Sequence, residues 1–368
     1  MPIYMDRHIV PGIEAKHAAK AHCEDLLIQE EYGCRCMTYW VDEENGSAFC
    51  LIDAPNKEAV EEMHRRSHGL VPHEIVQVNS NVVEAFLGRI NDPEGFYDAD
   101  DLNLKIFNDP AFRIILVSQT MNPVLLQEQF GRERAEQLFS LYREIYREAQ
   151  QRFEGREVES EAQGFITSFV SVTQAVDCAK SIQKRLHVAG ELIQLKIGMH
   201  AGMPVDKSDV LFGDTVKMAK YLCNIKSGGP MFLSSLVAEI YKSDIDGNSQ
   251  GEKVKTIKVE DESFLLDMMD LLNENLKNPN CGISDFCQKM AMSKSKLYRK
   301  CTQVIGMSPN ELFREHRLLK SLNLLKTERN IMQTSYDVGF TSPSYFTKCF
   351  QERFGMAPLS YVKQLESF

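Results

Sequence analysis

His64 and His68 stand four residues apart in the segment NKEAVEEMHRRSHGL. On a helix that spacing sets two imidazoles on one face, at a separation that can chelate a metal ion. Six of the nine histidines lie in the first 73 residues: His8, His17, His22, His64, His68 and His73. His8 ends an alternating segment, PIYMDRHI, on the face it shares with Tyr4 and Asp6. Cys50 adds a side chain that can act as a thiolate. Imidazole and thiolate donors together suit a borderline ion such as nickel, cobalt, zinc or copper, and affinity alone does not choose among them. Imidazoles chelate when neutral, so affinity is expected to fall below about pH 6.

A second set of chemistry-bearing residues lies at the far end. Residues 283–313 and 332–362 repeat each other at an offset of 49, with MSKSKLYRKCTQVIGMSPNEL over TSPSYFTKCFQERFGMAPLSY. Each copy reads as a short helix, a tight turn and a second helix begun by Ser293 or Ser342. Arg299 and Lys348 occupy equivalent positions in the two second helices, with Ser295 and Ser344 one turn earlier on the same face. Arg bonds guanine bidentately, Lys reaches base or phosphate, and a Ser hydroxyl serves either. Two such units on a connecting helix can place recognition helices in successive major grooves, about 34 Å apart on one face of double-stranded DNA.

The elements that must hold these residues fall into three blocks. Residues 1–80 read as βαββαβ, with a helix ending at Gly33, a hairpin turning at Glu44-Asn45-Gly46 and Asn56 capping the second helix, the order of a ferredoxin-like α+β domain. Residues 81–111 are read as a linker, since 91–110 (NDPEGFYDADDLNLKIFNDP) is acidic and aperiodic. Strands and helices alternate over 112–245, an α/β domain. A second linker covers 246–261, around GNSQGEKVK. From 262 to 368 the periodicity is helical throughout. Ser308-Pro309-Asn310-Glu311 forms a capping box there, and Leu312, Phe313, His316, Leu319, Leu322 and Leu325 mark the buried face of the connecting helix.

Charge follows the same division. Residues 1–80 carry a net −7, 81–261 a net −6 and 262–368 a net +3, so only the last block suits a polyanion. No run approaches the roughly 18 apolar residues of a membrane span. The start MPIYMDRHIV lacks a basic segment followed by an apolar run. Ten cysteines without an export signal imply reduced thiols and a cytoplasmic chain.

The last block, above all DVGFTSPSYFTKCFQERFGMAPLSY, resembles the AraC/XylS family of transcription regulators. The resemblance implies a double helix-turn-helix domain whose base-facing positions fall on Ser295, Tyr298, Arg299, Ser344, Tyr345, Thr347 and Lys348. Phe340, Phe346, Phe350 and Phe354 are read as core.

The middle block resembles the class III adenylate/guanylate cyclase domain in LKIGMHAGMPV, LFGDTVKMAKYL and GGPMFLSS. Such a cyclase holds two divalent ions with two carboxylates, and these positions fall here on Gln119 and Gln163, the latter in Ala162-Gln163-Gly164. A neutral amide does not replace an anionic ligand for a hard dication. The family's transition-state Asn and Arg fall on Lys217 and Tyr221, and its purine-selecting Lys region is acidic, at Glu159. Asp214 survives. The resemblance therefore implies a catalytically inactive pseudo-cyclase, serving in a homodimer or binding a nucleotide-like ligand without turnover.

The first block resembles a small family of ferredoxin-like domains described as nickel-binding, through MDRHIVPG, AHCEDLLIQ, YGCRCMTYWVDEENGSAFCLIDAPNKEAV and MHRRSHGLVPHEIV. The ligand set expected on that basis is His8, His64 and His68, with Cys50 and His22 next. Cys34 and Cys36 are read as packing residues, and His17 and His73 as solvated. The chain as a whole reads as a metal-responsive, DNA-binding transcription regulator and not as an enzyme. Two competing readings are an active nucleotidyl cyclase tethered to DNA, against which Gln119 and Gln163 argue, and a redox sensor using Cys23, Cys34, Cys36 or Cys50, for which no CxxC pair is present.

Overall fold

The computed structural model describes residues 1–99, 104–161, 163–188, 193–226, 231–244 and 254–365. The first domain runs β1 (Ile3–Ile9), α1 (Ala15–Ile28), β2 (Arg35–Asp42), β3 (Ser47–Asp53), α2 (Lys57–Ser67) and β4 (Glu74–Val78). Its sheet has the order β2-β3-β1-β4 with antiparallel neighbours, the ferredoxin-like arrangement read from the sequence. Local chemistry explains the boundaries. The Asn56 side chain accepts the Ala59 amide at 2.8 Å and starts α2. In the β2–β3 hairpin the Asp42 carboxylate holds the Asn45 amide at 3.0 Å, and Gly46 takes φ 59° with no space for a Cβ beside Pro11.

The middle domain runs β5 (Arg113–Gln119), α4 (Pro123–Phe130), α5 (Arg132–Arg152), β6 (Arg156–Glu161), β7 (Gly164–Phe169), α6 (Val172–Val188), β8 (Lys196–Gly202), α7 (Gly213–Cys223), β9 (Met231–Leu233), α8 (Ser235–Asp244) and β10 (Lys255–Thr256). Its sheet order is β10-β9-β8-β5-β7-β6. The four strands at one side of the sheet, β8-β5-β7-β6, repeat the strand order of the first domain. Both faces of this sheet are covered. Ile114 and Leu116 pack with α5 and α6, whereas Ile115, Val117 and Ile166 face Met5, Trp40, Phe49 and Leu51 of the first sheet. Burial on both sides is why β5 contains the unbroken apolar run IILV and not an alternating pattern.

The segment 81–111 is not a bare linker. It begins inside α3 (Ser80–Leu87), whose Val83, Phe86 and Leu87 are buried at helical spacing between the two sheets. The buried Arg113 guanidinium donates to the carbonyls of Phe86 and Leu87 at the end of α3, where a cation is favoured. Beyond it Leu104 and Phe107 are buried, and the Phe107 ring stacks on Tyr39 at 4.3 Å. Most of GNSQGEKVK lies outside the described residues. Within the second expected linker, β10 extends the middle sheet and α9 begins at Val259.

The last domain runs α9 (Val259–Glu274), α10 (Ile283–Lys289), α11 (Lys294–Ile305), α12 (Pro309–Thr327), α13 (Ile331–Asp337), α14 (Pro343–Phe354) and α15 (Pro358–Leu365), with no strand among the described residues. The capping box at Ser308 and Glu311 starts α12 as expected. One expected face residue is corrected. Leu319 is 37% exposed, and Leu318 is buried in its place. The cause is that α12 serves two cores: Leu312 and Phe313 pack with α10 and α11, while Leu318, Leu322 and Leu325 pack with α14 and α15. The buried stripe therefore shifts phase along the helix.

Candidate metal centre and nucleic-acid interface

Strand β1 and helices α1 and α2 bring a polar cluster into the interior of the first domain. His64 is fully buried, with Nε2 2.8 Å from Asp6 Oδ2 and Nδ1 3.1 Å from Asp25 Oδ2. His68, at the end of α2, places Nε2 3.0 Å from His64 Nδ1 and 3.3 Å from Asp25. His8 Nε2 lies 3.5 Å from Asp6, and the His8 and His64 rings meet edge-on at 4.9 Å. Two overlapping groups of donor atoms result, each confined within 4.8 Å: Asp6, His8, Cys50 and His64, and then Asp25, His64 and His68.

The electrostatics of this cluster are those of a buried cation site. Burial alone would lower the His64 pKa, but the flanking Asp6 and Asp25 carboxylates outweigh it and push His64 up to about 10. Burial alone would raise both aspartates, and the neighbouring imidazoles instead hold them well below the usual carboxylate range. Burial, then Asp6 and Asp25, push the Cys50 thiol well up. The two carboxylates thus favour a protonated His64 between them. The residues fit a metal: His8 Nδ1 is buried without a hydrogen-bond partner, which a coordinated dication would relieve.

His68 is less ready to ligate. Its Nδ1 accepts the Leu70 amide at 3.2 Å, which leaves Nε2 carrying the proton toward Asp25. His22 belongs to neither group. It is buried 3.5 Å from Asp92 with its ring 5.3 Å from Tyr39. His17 and His73 are exposed, and each accepts a backbone amide through Nδ1, from Glu14 and Ile9. Asp6 and Asp25 are the participants sequence reasoning passed over. Asp6 had a signal, two positions before His8 on one strand face. Asp25 had none, since it is 39 positions from His64 and is aligned only by the docking of α1 on α2.

In the last domain, α11 and α14 are second helices of equivalent units. Ser293 Oγ accepts the Lys296 amide and Ser342 Oγ the Tyr345 amide, both at 3.3 Å. Phe346 and Phe350 are fully buried, Phe340 is buried and Phe354 is half-buried. On the opposite face Ser295, Arg299, Ser344, Tyr345 and Lys348 are exposed, and Tyr298 and Thr347 are half-buried. Asn310 holds the Tyr298 hydroxyl at 2.9 Å. The packing of each helix therefore leaves its polar face outward.

The middle domain touches both units. Lys217 Nζ and the Tyr221 hydroxyl reach the Asp270 carboxylate of α9 at 2.8 and 2.9 Å, and Asn273 donates to Tyr221 at 2.9 Å. The α7 positions that the cyclase resemblance singles out are engaged in holding α9. At the second unit, Gln364 donates to Glu128 at 2.6 Å, and Arg353 grips Glu315 of α12, which also faces Lys226 at 3.5 Å. Gln119 pairs with Gly164 in the β5–β7 register, and Thr120 N donates to the Gln163 carbonyl at 2.6 Å. Both amides thus stand at one end of the sheet. Ala162 lies outside the described residues.

Two family profiles match the chain: "Nickel responsive protein SCO4226-like" over residues 4–78 and "Helix-turn-helix domain" over residues 286–364. The chain joins an SCO4226-like domain to an AraC-type helix-turn-helix domain. The SCO4226-like part is 31% identical to SCO4226 of Streptomyces coelicolor A3(2), over 21% of this chain and 94% of that one, with a TM-score of 0.20. The AraC-type part is 37% identical over 82 residues to the uncharacterized HTH-type transcriptional regulator YdeC of Bacillus subtilis, covering 22% of this chain and 28% of that one. An adenylate/guanylate cyclase/hydrolase from Silicibacter pomeroyi aligns at 24% identity over 40% of this chain and 91% of its own, with a TM-score of 0.31. The chain spans about a third or less of the curated relatives it matches. The SCO4226-like domain contains the buried Asp/His/Cys cluster, and the AraC-type domain contains the two exposed polar faces of α11 and α14. Among the described residues, no helix is long and apolar enough to cross a membrane.

Proposed function

We infer that the chain is a sequence-specific DNA-binding transcription regulator whose SCO4226-like domain takes up a transition metal such as nickel, and whose middle domain is a non-catalytic frame. The observation that carries the DNA reading is the pair of capped helices, α11 and α14. Each buries its apolar residues and exposes Ser295 and Arg299, or Ser344 and Lys348, at matching positions. One chain supplies both reading helices. The test is a footprint on the chain's own promoter region, with two protected stretches about one helical turn apart as the expected result.

Within the metal reading, Asp6, His8, Cys50 and His64 Nε2 are the ligands. His64 Nδ1–H then donates to Asp25, the carboxylate–histidine support common behind metal-bound imidazoles. His68 joins this support. A bound dication supplies the positive charge that the His64 proton provides in its absence. His22 is left out of the set.

The frame reading is supported by Lys217 and Tyr221, which hold α9, and by amides at Gln119 and Gln163. A homodimer built on the middle domain remains part of this reading, and sedimentation of the full chain tests it. The thiols argue against redox sensing. Burial raises Cys34 to about 11 and pushes Cys36 higher still, which disfavours the reactive thiolate. A DNA-bound role with ten free cysteines fits a cytoplasmic setting.

A further inference from the structure

A cavity of 120 Å³ opens beside the buried cluster of the SCO4226-like domain, bordered by His8, Cys50 and His68 at its polar end and by Ile13, Ala21 and Leu70 along its walls. Two metal ligands of the proposed set, His8 and Cys50, thus border open space. The other two, Asp6 and His64, are fully buried behind them. An ion held there has its protein ligands on one side and the cavity on the other.

The cavity is a poor place for water. Its exposed lining is almost wholly apolar, and apart from His8 Nδ1, which has no hydrogen-bond partner, its polar side chains are largely engaged. The Tyr39 hydroxyl donates to the Lys105 carbonyl at 2.9 Å, and His17 Nδ1 and His68 Nδ1 accept backbone amides. A stable buried water needs two to four polar partners, whereas an apolar cavity of ~150 Å³ admits a molecule the size of benzene. Space of this order, with apolar walls and one metal-bearing end, fits a small neutral organic molecule that carries a single donor atom.

We propose that this cavity binds a small neutral azole as an exogenous ligand to the metal, so that the domain takes up an ion and an organic donor together. The inference rests on the metal reading. The donor's lone pair completes the coordination shell, and its hydrocarbon body lies against Ile13, Ala21 and Leu70. No bond in the protein is broken. Nickel and cobalt readily take more than four ligands, so a set of four protein donors leaves them a position to fill.

The test uses the full chain loaded with cobalt(II), whose visible absorption reports its ligands, and imidazole as the probe. Elemental analysis before imidazole is added checks the metal reading by itself; absence of cobalt from the wild type sinks that reading and this one with it. With cobalt bound, imidazole should shift the visible spectrum saturably while the cobalt stays on the protein. Ala21→Leu fills the wall and Leu70→Trp crowds the mouth. Each should keep its cobalt and its far-ultraviolet dichroism but weaken imidazole binding about tenfold or more. An unchanged wild-type spectrum, stripping of the cobalt, or equal imidazole affinity in both cobalt-loaded variants would overturn the proposal.

Discussion

The Asn122 side-chain amide donates to the Tyr361 hydroxyl at 3.1 Å, and both groups are buried. The bond joins residues 239 positions apart and ties the start of α4, close to Gln119, to α15, the last helix of the second helix-turn-helix unit. Val124 sits in the same apolar cluster as Leu322, Phe350 and Tyr361. Tyr361→Phe leaves the Asn122 amide without this acceptor in a closed interface. It should cost about 1–3 kcal/mol, read from chemical denaturation. An unchanged unfolding midpoint would mean that α15 does not stay docked on α4 in solution.

Arg299→Ala or Lys348→Ala should each weaken binding to the cognate duplex by roughly 1–3 kcal/mol, more than to random DNA. Titration by fluorescence anisotropy measures both. Affinity should also fall steeply with added salt through counterion release. If both variants leave the footprint intact, α11 and α14 are not the readers.

The buried His64 makes the metal-free protein sensitive to alkali. Its pKa is about 10 in the folded chain against an ordinary 6.5, so its stabilising charge is fully present below pH 6.5 and is lost as pH rises toward 10. Asp6 and Asp25 are depressed, so their contribution is present above about pH 4 and lost in acid. Wild type minus His64→Ala should therefore give a stability difference that is largest between pH 4 and 6.5 and shrinks toward pH 10. A flat difference across that range would show that the carboxylates do not hold the proton.

The same geometry bears on the expectation that metal affinity falls below about pH 6. With His64 protonated well above neutrality, a metal must displace that proton throughout the physiological range. Isothermal titration of nickel in two buffers of different ionisation enthalpy should report proton release at pH 7.5. No release would contradict ligation through His64 Nε2.

Incubation of the protein with ATP or GTP and Mg²⁺ or Mn²⁺ should leave the nucleotides unconverted, because Gln119 and Gln163 present amides at that end of the sheet. Cyclic nucleotide formation that is abolished by changes in the middle domain would restore the enzyme reading.

If metal and DNA are coupled, nickel must favour one conformation over another. A coupling of roughly 1–3 kcal/mol corresponds to about a 5- to 150-fold change in operator affinity. On the metal side, Tyr39 stacks on Phe107, Arg89 lies over Trp40 at 4.4 Å, and the first sheet packs on β5 of the middle domain. Operator affinity with and without nickel, in wild type and in a His64→Ala/His68→Ala double variant, decides the matter. Equal values in all four conditions would leave the metal without a regulatory effect.

What could be read from the chain alone is what depends on near neighbours. The cap at Asn56, the hairpin at Asn45-Gly46, the caps at Ser293 and Ser342 and the box at Ser308 each involve residues a few positions apart, and the repeat at an offset of 49 shows in the order of residues itself. Their period or capping pattern is written directly in the order of side chains. The outward position of Arg299 and Lys348 follows from the same rule, since buried aromatics on one helix face put them on the other. What only the tertiary structure decided are relationships in which short-range chemistry has no preference. Asp25 reaches His64 because α1 docks on α2, and Asp270 reaches Lys217 and Tyr221 because α9 docks on α7. Leu318 replaces Leu319 because α12 must serve two cores in turn, and α3 packs the start of the expected 81–111 linker between two sheets. Each of these depends on which apolar faces meet over distances of tens to hundreds of residues. Many weak contacts settle that choice together, and no single spacing records it.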